Sequence, residues 1–322
     1  MSAAVGALLP FFVILGVGLA LGRLPRFAGA ESALTAFVFY VALPCFLFDS
    51  LAGAAPAGSG GIPTVVVVAA VLAAVVVAVL AAIPGARGGA RGSGTELALA
   101  AGYGNTGYLG IPVTVGLLGD DAALAAGVVQ LAHNVVFMLG YPIVAASRRG
   151  SSGSNDGLAT TVWQTTRSAV LLNPVTISVV AGLLVAQLGV SLPAVLATTV
   201  EMLAGAAVPA ALIAVGLTLG PSLRALTSGG VHAPAVIVVV VAKLLAVPVV
   251  TWLVLEVLAP SLEPLWAGAL VLMAAMPTST TAFVLAREYG GDGRPAAATI
   301  AATTLASLLT IPVMVALFVP GL

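Results

Sequence analysis

The chain has 322 residues, of which 61% are apolar and only 7% charged, and its eleven basic and eleven acidic side chains cancel. A soluble domain carries about 25% charged residues, so this chain cannot cover a water-facing surface of its size and is expected to face lipid. Zero net charge points to no nucleic-acid partner, and the lone Cys45 allows no disulfide within the chain.

A bilayer-crossing helix needs ~20 mostly apolar residues. By that measure ten spans are predicted, at 4–22, 32–53, 63–84, 95–118, 122–146, 168–188, 194–219, 231–258, 264–287 and 295–319. The first has no positive charge before it, and Arg23 and Arg26 follow it. A secretory signal has the opposite charge layout and a shorter core, so this segment is read as a retained helix. The third and eighth are rich in valine, as in Val65–Val68. At this length in lipid they read as helix, because only helices and closed barrels satisfy their backbone there.

The fourth segment contains Gly102-Tyr103-Gly104-Asn105-Thr106-Gly107-Tyr108-Leu109-Gly110-Ile111-Pro112, which disfavours continuous helix. The fifth carries His133 and Asn134, expected to make interhelical hydrogen bonds. The connection 147–167 holds Arg148, Arg149 and the Gly/Ser-rich run Gly150–Gly157, the composition of a flexible linker. The sixth segment includes Asn173-Pro174, a cap or kink, and the seventh carries Glu201 near its outer end. In the eighth, Lys243 sits mid-span, which costs ~2.5–3.5 kcal/mol on insertion scales and demands a cavity or a partner. It reads either as a countercharge or proton-coupled switch, or as a lysine that snorkels or makes a structural bond to a backbone carbonyl at a helix break. The ninth has a second interruption, Met276-Pro277-Thr278-Ser279-Thr280-Thr281.

Ten of the eleven cations fall in loops on one side: Arg23, Arg26, Arg87, Arg91, Arg148, Arg149, Arg167, Arg224, Arg287 and Arg294. The positive-inside rule makes that side cytoplasmic and places both termini outside. Pro10 and Pro174 are 164 residues apart, Pro44 and Pro209 are 165 apart, and Gly119-Asp120 and Gly291-Asp292 are 172 apart. This order predicts an all-α membrane fold of two inverted five-helix repeats, 1–146 and 168–322, joined by a cytoplasmic linker at 147–167, an architecture common in secondary transporters.

An offset of 172 sets Asn105 opposite Pro277. Matched interruptions in two halves are the strongest pointer to a transport site, because half-helix N-termini present unpaired N–H groups that suit an anion. Asn105, Thr106 and the amides near Gly107 are therefore the expected substrate contacts from the first half, and Thr278, Ser279 and Thr280 those from the second. Lys243 is the expected positive charge, with Pro112 and Pro277 holding the breaks open. No Gly-x-x-x-x-Gly-Lys-[Ser/Thr] stretch points to ATP, no His/Cys/Asp/Glu cluster has metal-ligand spacing, and no nucleophile–base pair is legible. Neither a cofactor nor an enzymatic activity is expected.

Several stretches resemble the auxin efflux carrier family. They are Phe37-Val-Phe-Tyr-Val-Ala-Leu-Pro44, Gly104-Asn105-Thr-Gly-Tyr-Leu-Gly-Ile-Pro112, Asn173-Pro174, Ala207-Val-Pro209 with Gly216, Lys243 before Pro248, and Ala275-Met-Pro277 through Arg287-Glu-Tyr-Gly to Thr303-Thr304-Leu-Ala-Ser307. The resemblance implies broken fourth and ninth helices crossing at mid-membrane, as in bile-acid symporters. It implies a scaffold and homodimer interface from helices 1, 2, 6 and 7, with the rest moving. The short 147–167 loop is similar to the prokaryotic branch. The expected function is a plasma-membrane carrier of a small organic anion, such as a carboxylate, by alternating access. The alternatives are a sodium-coupled symporter of the bile-acid type and a receptor that binds without transporting.

Overall fold

The computed structural model describes residues 2–53, 93–148, 167, 171–227, 233–289 and 291–318. The predicted third span, Arg87, Arg91 and nearly all of the 147–167 linker lie outside them. Apart from one isolated antiparallel bridge between Gly104 and Thr278, the described residues form helices and turns. The helices are α1 (Ser2–Leu21), α2 (Ala30–Ala52), α3 (Ser93–Gly102), α4 (Thr106–Leu118), α5 (Ala123–Arg148), α6 (Pro174–Leu188), α7 (Ala194–Thr227), α8 (Ala233–Leu258), α9 (Pro264–Ala274), α10 (Thr280–Glu288) and α11 (Arg294–Phe318). Each expected span other than the third coincides with helix, the fourth as α3 and α4 and the ninth as α9 and α10.

Five of the described helices are long and apolar enough to cross a membrane: Ala30–Ala52, Asp120–Met138, Ala194–Leu226, Ala233–Leu258 and Arg294–Phe318. Large apolar side chains such as Leu188, Val195, Met202, Val257 and Leu309 stand exposed on the outside. That surface suits hydrocarbon, since soluble monomers rarely expose apolar patches so freely. Arg23, Arg26, Arg167, Arg224, Arg287 and Arg294 are all exposed.

Three prolines are absorbed without breaking their helices. Proline lacks the N–H for its turn and its ring crowds the carbonyl four residues back. Ahead of Pro44, Pro112 and Pro248 the helix widens into a π-turn, at Val38–Ala42, Thr106–Gly110 and Ala242–Ala246 respectively. In each case the residue just before the proline reaches back five residues instead of four: Leu43 N–H to Val38 O, Ile111 N–H to Thr106 O, and Val247 N–H to Ala242 O. The widening removes the steric conflict and keeps the backbone satisfied, which lipid requires.

The core runs through Leu43 and Leu47 of α2, Ile111 of α4, Ala125, Ala126 and Val129 of α5, Val175 and Val179 of α6, and Trp266 and Leu270 of α9. Beside it, α1 and α7 meet on small residues. A Cβ built on Gly216 would lie 2.8 Å from Gly18 Cα and overlap Leu15 O, and one on Gly18 would lie 2.9 Å from Ile213 Cα. These neighbours are backbone and cannot rotate aside. Gly216→Ala is therefore expected to force the helices apart and destabilise the protein by about 1–3 kcal/mol. Gly205→Ala on the same helix meets nothing within 4 Å, and should instead stabilise by about 0.5–1 kcal/mol. Thermal unfolding of the purified variants checks both signs.

Candidate functional site

The two interruptions meet. α3 ends at Gly102 and α4 begins at Thr106, while α9 ends at Ala274 and α10 begins at Thr280. Where they touch, the backbones pair like a scrap of antiparallel sheet. Asn105 N–H donates to Pro277 O at 2.7 Å and Ser279 N–H donates to Tyr103 O at 2.8 Å. Asn105 and Pro277 are the residues that the offset of 172 sets opposite one another. Breaking a helix in lipid leaves groups that must find partners, and here each break supplies part of what the other lacks.

The remaining freed groups are satisfied by neighbouring helices. Gly104 N–H donates to His133 Nε2 at 2.9 Å, which requires that nitrogen to be unprotonated. Tyr103 OH donates to Asn134 Oδ1 at 2.9 Å, and Thr106 Oγ1 donates to Gln130 Oε1. The Tyr103 ring stacks on Phe137 with centroids 5.3 Å apart. One face of α5 thus supports the first break. His133 and Asn134 do make the expected hydrogen bonds. Gln130 was not singled out from sequence, although its place three and four residues before them on one helix face was a legible signal. The second break rests on α11 and α3: Thr278 N–H donates to Thr303 Oγ1 at 3.0 Å, and Thr278 Oγ1 donates to Ala100 O at 2.7 Å.

Lys243 reaches the same point from the π-turn of α8 and is buried. Its Nζ donates to Ala274 O, the last carbonyl of α9, at 2.7 Å. An ammonium at that end of a half-helix complements the negative pole of its dipole. A Cβ on Gly104 would stand 3.1 Å from Nζ, so glycine there gives the ammonium its room. The lysine therefore makes the structural bond that its position suggested, and makes it at the interruption.

The predicted site residues differ in how they are engaged. Asn105 caps α4, its Oδ1 accepting from Tyr108 N–H at 3.3 Å; its Nδ2 and the N–H groups of Thr106 and Gly107 have no hydrogen-bond partner among the described residues. Ser279 caps α10 through Oγ, which accepts from Thr281 N–H at 3.2 Å, and Thr280 N–H is likewise unpartnered. Thr278, by contrast, is pinned at both its N–H and its hydroxyl. Pro277 lies in the break and offers its carbonyl to Asn105. Pro112 lies beyond the break, inside α4, where it produces the π-turn. Among the described residues no group of three His, Cys, Asp or Glu side chains could hold a metal ion.

The sequence matches the family described as "Membrane transport protein" over residues 3–315. It is also 32% identical over 313 residues to a protein of Rhizobium meliloti (strain 1021) named "Putative malonate transporter", covering 97% of this chain and 94% of that one.

Proposed function

Because the chain belongs to the membrane transport protein family, that of the auxin efflux carriers, we propose that it carries a small dicarboxylate of the malonate class across the cell membrane by alternating access. The observation that carries this reading is the convergence of donors at the paired interruptions. The unpartnered N–H groups of Thr106, Gly107 and Thr280, the Asn105 amide and the Lys243 ammonium all lie at one junction of two half-helix N-termini. Such termini favour an anion through both hydrogen bonds and dipoles. The relative named for malonate transport supports the substrate class.

In this reading Asn105, Thr106 and Gly107 bind one carboxylate, and Ser279 and Thr280 bind the other. Lys243 sets the positive potential between them. Thr278, Pro277 and Pro112 shape the two breaks without touching substrate. The chain spans the membrane ten times, as inverted repeats 1–146 and 168–322 around the 147–167 linker, with both termini outside. The sodium-coupled alternative fits less well, because the Lys243 ammonium already occupies the junction and opposes a second cation there.

Uptake of labelled malonate into proteoliposomes is the test. Saturable uptake that is unchanged when sodium is replaced by potassium is expected. Sodium-dependent uptake, or flux of cations without carboxylates, would overturn the reading.

A further inference from the structure

Among the described residues, the buried charged side chains are Lys243 and Glu96. Glu96 bonds to neither interruption, and the site above does not use it. It sits at the start of α3. Its Oε1 accepts from Asp292 N–H at 2.7 Å and its Oε2 from Gly293 N–H at 3.0 Å. Those two N–H groups are the last before α11, whose first residue is Arg294. The carboxylate thus fills the anion-binding position at the positive end of a long helix.

The receiving turn is built for this contact. Gly293 has φ of +78°, a left-handed conformation open to glycine. A Cβ on Gly291 would lie 2.8 Å from Glu96 Cδ, so that position also admits only glycine while the carboxylate is seated. Around it, Arg287 donates from Nη1 to Asp292 O at 3.2 Å, and Arg294 pairs with the Asp292 carboxylate at 2.6 Å. The hydrogen bond from Arg294 holds that exposed carboxyl below the usual range, so it remains an anion paired with Arg294.

One turn after Glu96, Ala100 O receives the Thr278 hydroxyl, and at the end of the helix Tyr103 O receives Ser279 N–H. The short helix α3 is therefore fastened to the second half of the chain at both ends. We propose that Glu96 is the positioning residue that registers the first interruption against the second: by anchoring α3 to the start of α11, it sets where Gly104 and Asn105 meet Pro277 and Thr278. The contact makes α3, α10 and α11 a single rigid unit.

Hydrogen–deuterium exchange of the full chain in nanodiscs, without substrate, tests this directly. Glu96→Ala should speed exchange by about tenfold or more at Asp292 and Gly293, a modest figure for the loss of two bonds to a charged acceptor. It should also speed exchange at the distant Asn105 and Ser279 amides. A change confined to residues 291–294 would overturn the proposal, leaving Glu96 as a local cap. Glu96→Gln, which keeps the shape and one acceptor, should give a smaller change at all four amides, and serves alone with the same two readouts if the alanine variant does not fold. A second arm rests on the malonate reading: Glu96→Gln should raise KM severalfold with Vmax per folded carrier unchanged, whereas a purely structural role lowers the amount of folded carrier, and with it total Vmax, and leaves KM unchanged. Wild-type protein that moves no malonate would sink the substrate assignment and leave the exchange result to decide on Glu96.

Discussion

Asn105→Asp should fold like the wild type and lose malonate binding by about 10,000-fold or more. The two halves of this expectation come from different atoms of one side chain. Asn105 Oδ1 caps α4 by accepting from Tyr108 N–H, and aspartate is as good a cap as asparagine. The other atom, Nδ2, is unpartnered among the described residues and is the donor offered to the anion. Replacing it with a carboxylate oxygen removes a hydrogen bond to a charged group, worth about 1.5–3 kcal/mol. It also adds a like charge, which at contact distance and intermediate dielectric costs about 4 kcal/mol. Asn105→Ala makes the complementary cut, losing the cap at about 1 kcal/mol and the donor without introducing repulsion. Its affinity should fall less than that of the aspartate variant and its thermal stability more. Malonate titration by calorimetry beside thermal unfolding separates the two, and unchanged malonate affinity in the aspartate variant would remove Asn105 from the site.

Lys243→Met should abolish most transport while changing stability little. Two stability terms oppose one another. The variant leaves Ala274 O unpaired in a buried setting, at about 1–3 kcal/mol, but it also removes the cost of a mid-membrane lysine, ~2.5–3.5 kcal/mol. For an anion the two effects do not cancel: losing the ammonium weakens binding by about ten- to a hundredfold. Lys243→Arg should not rescue, because the larger guanidinium has to fit beside Gly104, where Nζ already lies 3.1 Å from the place of a Cβ. Uptake kinetics and unfolding temperatures measured on the same preparations decide the matter. A methionine variant that transports normally would leave Lys243 as a cap for α9 and nothing more.

Much of this architecture was legible because lipid simplifies the code. Where every backbone group must be satisfied internally, a run of about twenty apolar residues has one solution. The described arginines Arg23, Arg26, Arg167, Arg224, Arg287 and Arg294 follow a related rule, since each of them stands exposed. The glycine-rich run after Gly102 and the Pro277 run with four hydroxyl residues announced two breaks. The place of the first break was harder to read. Pro112 looked like its cause, yet the helix absorbs that proline by widening at Thr106–Gly110, and the chain opens at Tyr103–Asn105 instead. A π-turn resolves the steric conflict locally, and nothing in a run of residue types distinguishes a proline that is absorbed from one that interrupts.

Composition and spacing alone determined that this chain lives in a membrane, where its described helices lie, and which two segments cannot be plain helix, because those properties depend on the solvent and on neighbours a few residues away. Which groups answer the broken backbones was decided only by the tertiary structure. His133 meets Gly104 from 29 residues away, Lys243 meets Ala274 from 31, and Glu96 meets Gly293 from 197. Hydrogen bonds select partners by distance and direction in space, and a sequence carries neither until the chain has packed.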